Sequence, residues 1–246
     1  MQKRSAPDLS SAALHLLAMA LMLGDHVRHT LIPGNHWLTC LGRLAFPIFA
    51  FLLVEGYFHT KNLRKYMLRL LIGALLSELP FNLAFYGCWF YPNHQNVLWT
   101  FLLALALVHC NEVARHTGQL LLHLAAGAAT IVLALVVGSV THVDYHHAGL
   151  LTVLVFYFCR GRTGWHFAGQ FLCLGYIHTV LLQSFTYEVE LLGHPLFLPR
   201  QALALLALIP IWLYRGRQGH HSRAFQYACY AFYPLHLLIL SLLKWF

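Results

Sequence analysis

Residues 13–30 read ALHLLAMALMLGDHVRHT. The first half is apolar except for His15, and the second half carries Asp25, His26, Arg28 and His29. In water this would be an ordinary amphipathic boundary. In a bilayer every one of those ionisable groups is costly and marks a functional site by default. The solvent around this segment therefore decides how the whole chain is read.

Composition decides the solvent. Of 246 residues, 59% are hydrophobic and only 10% are charged, and the mean hydropathy is +0.61. A soluble domain commits about a quarter of its residues to charge, and this chain has too little to clothe a globule. About 20 mostly apolar residues cross the hydrocarbon as a helix. Runs of that kind recur at roughly 9–32, 42–59, 65–86, 96–112, 119–140, 146–160, 165–183, 199–214 and 224–245. The expected fold is an all-α, polytopic integral membrane protein with about nine transmembrane helices. Short connections leave no room for a soluble domain, so residues 1–246 form a single transmembrane unit.

Charge sets the expected orientation. Lys3 and Arg4, then Lys61, Arg64 and Lys65, then Arg115, then Arg160 and Arg162, then Arg215, Arg217 and Arg223 fall on one side of the parsing. The alternate connections GNHWLTC (34–40), GCWFYPNHQ (87–95), THVDY (141–145) and FTYEVELLGHP (185–195) hold no lysine or arginine. By the positive-inside rule the N-terminus is cytoplasmic and the C-terminus extracytoplasmic. The net charge of +8 then reads as a topology signal and an attraction to anionic lipid, not as a nucleic-acid patch. No cleavable signal peptide is evident. The six cysteines are scattered singly and read as small core residues, with a Cys40–Cys88 disulfide as the alternative.

Several spans place polar groups at matching depths. Asp25 and His26 lie about 9 Å below the outer end of the first helix at 1.5 Å per residue. Arg43, near the outer start of the second, is placed to pair with Asp25, and Glu55 is level with Arg69 for a second buried pair. Pro47 implies a kink. Glu78 and Asn82 in LLSELPFNLAF (75–85) share one face at i and i+4, as do Asn96 and Thr100 in NVLWTF (96–101). YAFYPLHLLIL (230–240) puts His236 near mid-bilayer beside Tyr233 and Pro234. Together these groups describe a polar cavity open toward the outside.

Histidine beside an acid suits a general base or a transient acyl carrier. Neighbours on a helix point about 100° apart, so a carboxylate on another helix, such as Glu78, is the candidate for orienting His26. Arg64, Lys65 and Arg69 are candidates for holding the phosphates of a nucleotide-bearing donor, or serve only as topology markers. The 18 histidines raise a metal reading. His26 with His29 and His142 with His146 and His147 have ligand-like spacing, but they lie on the outer face and lack a third box there, so no metal is assigned.

The order ALMLGDH (20–26), GRLAFPIFAFLLVEGY (42–57), ELPFNL (78–83), NVLWTF (96–101) and FYPLHL (232–237) resembles the TraX family of membrane acetyltransferases. That family is named for the protein that acetylates the N-terminus of F-type pilin. The resemblance covers the first four spans and the last, and little of residues 115–215. It implies an acyl-CoA-dependent O- or N-acetyltransferase, similar in logic to acyltransferase-3 and heparan glucosaminide acetyltransferase proteins. It implies His26 as the catalytic histidine with Asp25 beside it, and Arg43, Glu55, Glu78, Asn82 and His236 lining the tunnel. The expected partners are acetyl-CoA as co-substrate, the bilayer, and an acceptor that is a pilin-like peptide amine, a glycan or a small molecule. A homodimer is an admissible assembly, and the expected location is the bacterial inner membrane. A proton-coupled transporter using the buried acids and histidines is the rival; the lack of an inverted repeat argues against it. A membrane chaperone for a secreted polypeptide would have no need of acids at depth.

Overall fold

The computed structural model describes residues 8–34, 36–182, 185–191, 194–220 and 222–245. Lys3, Arg4 and His221, which enter the charge and histidine readings, lie outside the described residues. In chain order the elements are α1 (Ser11–Thr30), α2 (His36–Gly42), α3 (Ala45–His59), α4 (Leu63–Tyr86), α5 (Val97–Arg115), α6 (Leu120–Val140), α7 (His146–Phe158) and α8 (Gly164–Tyr176). A π turn (Ile177–Leu181), strands β1 (Thr186–Leu191) and β2 (His194–Pro199), a 3-10 segment (Arg200–Ala207), α9 (Leu208–Leu213) and α10 (Arg223–Trp245) follow.

Among the described residues, five helical stretches are long and apolar enough to cross a membrane: His36–His59, Leu63–Tyr86, Val97–Arg115, Leu120–Val140 and Arg223–Trp245. The chain is a helical membrane protein, with five such stretches where nine are expected. The shortfall is partly a matter of length. The 13 residues of α7 reach only about 20 Å against a hydrocarbon about 30 Å thick. Two connections expected as loops are ordered. Residues 36–40 of GNHWLTC fall in α2, which runs on to Gly42, and most of FTYEVELLGHP lies in the antiparallel β1–β2 hairpin, with Thr186 opposite Pro199.

Local chemistry fixes the helix ends. Ser10 caps α1 by accepting from the Ala13 N–H at 3.2 Å, and Asn62 caps α4 by accepting from Lys65 N–H at 2.9 Å. Gly87, left-handed at φ 65°, closes α4. The helix is interrupted at Arg43–Leu44, and Pro47 falls in the first turn of α3 just after it. Its missing N–H costs nothing there, so the turn is made beside Arg43 and not by a proline kink.

Leu14 and Ala18 of α1, Ile48 of α3, Leu105 of α5 and Phe156 of α7 meet in one core. α10 packs along α4, and each of these helices carries an internal proline, Pro234 and Pro80. Lys244 Nζ donates to the Ala84 carbonyl at 3.0 Å and clips their ends together. At the other end α1 is docked through Ser11 N–H to Arg217 O (2.9 Å) and Ala12 N–H to Gln218 O (3.1 Å). This end also carries Lys61, Arg64, Lys65, Arg115 and Arg160 and is called the basic end below.

Candidate active site

His26 sits in the last third of α1, facing α10. Its Nδ1 lies 2.7 Å from Nε2 of His236, and the two rings are nearly parallel, 9° apart with centroids 5.0 Å apart. His236 Nδ1 in turn lies 2.7 Å from the Phe232 carbonyl oxygen. A carbonyl can only accept, so His236 carries its proton on Nδ1 and presents a bare Nε2 when neutral. His26 must then donate from Nδ1, which leaves the lone pair of His26 Nε2 uncommitted. Phe85 meets the His26 ring edge-on at 5.2 Å and Tyr233 at 6.2 Å.

Asp25, one residue earlier, points elsewhere. Its Oδ2 accepts from Arg43 Nη2 at 2.5 Å, the pair the sequence suggests, and its Oδ1 is 3.4 Å from His29 Nδ1. Gly42 makes this possible: a Cβ built there would lie 2.3 Å from Asp25 Cβ. Arg43 also donates to Thr39 O at 3.3 Å and to Gln201 Oε1 at 3.4 Å, and Gln201 Nε2 reaches His178 Nδ1 at 3.2 Å. The guanidinium is therefore committed on several sides.

Glu78 is not the group that orients His26. Its Oε2 accepts from Asn96 Nδ2 at 2.5 Å and from Trp99 Nε1 at 3.1 Å. Asn96 also donates to Ala74 O at 2.9 Å and caps α5 by accepting from Leu98 N–H at 3.1 Å. Thr100 donates to Asp144 O at 2.7 Å. Asn96 and Thr100 thus tie α5 to its neighbours. On α4, Glu78 Oε1 and Asn82 Oδ1 are buried without a partner among the described residues.

The second expected pair is replaced. Glu55 Oε1 accepts from Arg160 Nε at 2.7 Å, while Arg69 lies over the rings of Tyr66 and Tyr230. Cys40 and Cys88 are free, and Cys40 Sγ is 3.3 Å from Tyr187 Oη. His142, His146 and His147 do not gather round a common point. Among the described residues no three His, Cys, Asp or Glu side chains form a metal-binding group. Beside them, in the α4–α5 connection, His94 Nε2 bonds Asp144 Oδ1 at 3.2 Å, and its Nδ1 bonds the Tyr86 hydroxyl. Burial pulls the His94 pKa down, but this bond and the Asp144 charge outweigh it and raise it above the ordinary 6.5.

A cavity of about 760 Å³ runs between α1, α3, α4 and α10. It is lined at the basic end by Lys61 and Arg69, and at its deep end by Met22, Phe101 and Tyr233. This reverses the expectation of a cavity open toward the cation-poor end, where the polar groups instead bond to one another. Tyr233 faces both the cavity and the His26 ring. His15, Met19, Met22 and His26 follow one face of α1 at i, i+4, i+7 and i+11, and the first three line the cavity. His15 Nδ1 bonds Ser11 O at 2.9 Å, so its Nε2 is an acceptor. Arg64 and Lys65 are exposed and lie outside the cavity wall, where Lys61 stands in their place. Sequence reasoning missed Lys61, His15 and Tyr66; the i, i+4, i+7, i+11 stripe on α1 was the available signal for His15.

The arrangement offers a bare imidazole nitrogen, a second imidazole able to take the first one's other proton, and a long apolar approach. Such a pair can serve as a general base or as a nucleophile. A protein of Dichelobacter nodosus named "Probable fimbrial assembly protein FimC, serogroup H1" is 28% identical across 97% of both chains. No solved structure matches. Residues 10–244 match the family model described as TraX protein, and the chain belongs to the TraX family.

Proposed function

We propose that this protein transfers an acetyl group from acetyl-CoA to an amine or hydroxyl acceptor at or across the bacterial inner membrane. The observation that carries the reading is the cavity, which leads from Lys61 and Arg69 to Tyr233, directly against the His26 ring. With the basic end cytoplasmic by the positive-inside rule, a cytosolic thioester would enter there and rise between the helices toward His26, shielded from water.

Two balanced routes use the same atoms. In direct transfer the acceptor nitrogen or oxygen attacks the thioester carbonyl as His26 Nε2 takes its proton. The tetrahedral intermediate then expels the CoA thiolate, which collects the proton from His26. In the covalent route His26 Nε2 attacks first, its Nδ1 proton passes to His236 Nε2, and the thiolate leaves. The acceptor then attacks the acetyl-imidazole and its proton passes to the CoA thiolate, while His236 returns its proton to His26 Nδ1. In both, His236 stabilises the charge that develops on His26.

Glu78 Oε1 and Asn82 Oδ1, without partners among the described residues, are acceptors on α4, the helix that also supplies Phe85 beside His26. They suit an acceptor that brings N–H or O–H donors. The fimbrial name of the relative makes a pilin-like peptide amine the first acceptor to test. Purified protein in nanodiscs should release CoA from acetyl-CoA in the presence of such a peptide. His26→Ala should lose turnover while CoA still raises the melting temperature. If His26→Ala retains full activity, the histidine has no part in the reaction. If acetyl-CoA is ignored and liposomes containing the protein move protons, the transporter reading replaces this one.

A further inference from the structure

We infer that Arg69, held on the faces of Tyr66 and Tyr230, together with Lys61 forms the subsite for the diphosphate end of the nucleotide-bearing donor. The inference rests on the acetyl-CoA reading and adds where, and by which residues, the donor is anchored.

The basic end carries many cations, and their pairing separates them. Arg160 is taken by Glu55 (2.7 Å), Arg115 by Glu112 (2.9 Å) and Arg217 by Asp8 (3.3 Å), and Arg162 donates to the carbonyls of Trp212 and Tyr214. Arg64 and Lys65 are away from the cavity wall. Lys61 and Arg69 line the cavity, and neither has a carboxylate partner among the described residues. The cavity's own acid, Glu55, is already neutralised by Arg160.

Arg69 is also held in place. Its guanidinium carbon stands 5.9 Å from the Tyr66 ring centre and 5.5 Å from that of Tyr230. At these distances the guanidinium is within cation–π reach of both rings, and it also shares a hydrogen bond with the Tyr230 side chain, which restrains it while its other N–H donors remain for phosphate oxygens. Tyr66 is wedged against α3 at Gly56, where a Cβ would lie 2.8 Å from its hydroxyl oxygen. Two cations at a cavity mouth, neither matched by a carboxylate among the described residues and Arg69 restrained by its aromatic neighbours, call for a ligand with anionic oxygens. A phospholipid headgroup shares that chemistry with the donor, and the test must separate them.

The test compares acetyl-CoA with S-acetyl-pantetheine, which carries the same thioester but no diphosphate, in zwitterionic nanodiscs. Arg69→Ala and Lys61→Ala should each raise the KM for acetyl-CoA about tenfold relative to their effect on S-acetyl-pantetheine. Arg69→Lys should recover part of the loss. Equal shifts for both donors would reduce Arg69 to a wall residue and overturn the subsite. A loss seen only with anionic lipid would assign the cations to headgroups and also overturn it. CoA-induced thermal stabilisation supplies an independent readout. If wild type transfers nothing but Arg69→Ala abolishes that stabilisation, the subsite stands and acetyl transfer falls. If wild type transfers and the KM ratio is unchanged, the reverse holds.

Discussion

The two halves of the bundle on either side of the His26–His236 pair are built on opposite principles. Toward the cation-poor end, polar side chains are mostly spent on one another: Asp25 on Arg43, Arg43 on Gln201, Glu78 on Asn96 and Trp99, His94 on Asp144. Toward the basic end a cavity of about 760 Å³ holds His15, Lys61 and Arg69, none with a carboxylate partner among the described residues. The first half is a cross-linked frame that holds α1 in place against α2, α3 and α10. The second is a receptacle. His26 lies at their junction, just beyond the cavity's deep wall, with Tyr233 between its ring and the open space.

The contrast can be broken from several directions. The largest expected effect is on His236, which belongs to the frame yet acts on chemistry. His236→Ala should lower kcat by about 10²-fold or more with little change in the KM for acetyl-CoA. His236→Gln, which keeps an acceptor for the His26 Nδ1 proton, should recover part of it. Arg43→Met would leave Asp25 buried without its cation, at a cost of about 3–5 kcal/mol read from the melting temperature. The double variant Asp25→Asn with Arg43→Met should recover much of that loss.

Gly42→Ala probes the same frame more gently. The new Cβ collides with Asp25, and a loss of about 1–3 kcal/mol is expected. His15→Ala, by contrast, lies in the receptacle and should raise the KM for acetyl-CoA while sparing stability. The smallest effect is at the frame's edge. Because the His94 pKa is raised above 6.5, its bond to Asp144 contributes full stability below that value. The contribution is lost as pH rises through the raised folded value. Melting temperature should therefore decline above about pH 6.5 in wild type, and less steeply in His94→Gln.

The frame was the more legible half. Apolar runs located the helices, and polar residues at depth singled out Asp25, His26, Arg43, Glu78 and His236. Asp25 and Arg43 could be paired because the short α1–α2–α3 connection sets their relative depth. The His26–His236 bond joins positions 210 apart, and nothing local says which of several buried groups will meet across a bundle. Glu55 illustrates the same limit: depth made Arg69 its match, but α7 brought Arg160 closer. Five of the nine expected spans correspond to helical stretches long and apolar enough to cross a membrane; several of the others are short helices such as α7. The cavity was assigned to the wrong end because polar residues were taken to line a space. Here they bond to each other, and the space is walled by aromatic and aliphatic side chains together with His15, Glu55, His59, Lys61 and Arg69.

One labelling measurement goes to the centre of the account. An acyl-CoA carrying a diazirine on its acyl group, irradiated with the intact protein in nanodiscs, can be mapped by peptide mass spectrometry. Attachment should fall on the Met22–His26 turn of α1 and around Tyr233 of α10, and excess CoA should suppress it. Labelling confined to the cation-poor face, near Trp89 and Phe90, or indifferent to CoA, would contradict the claim that the donor reaches His26 through the basic-end cavity.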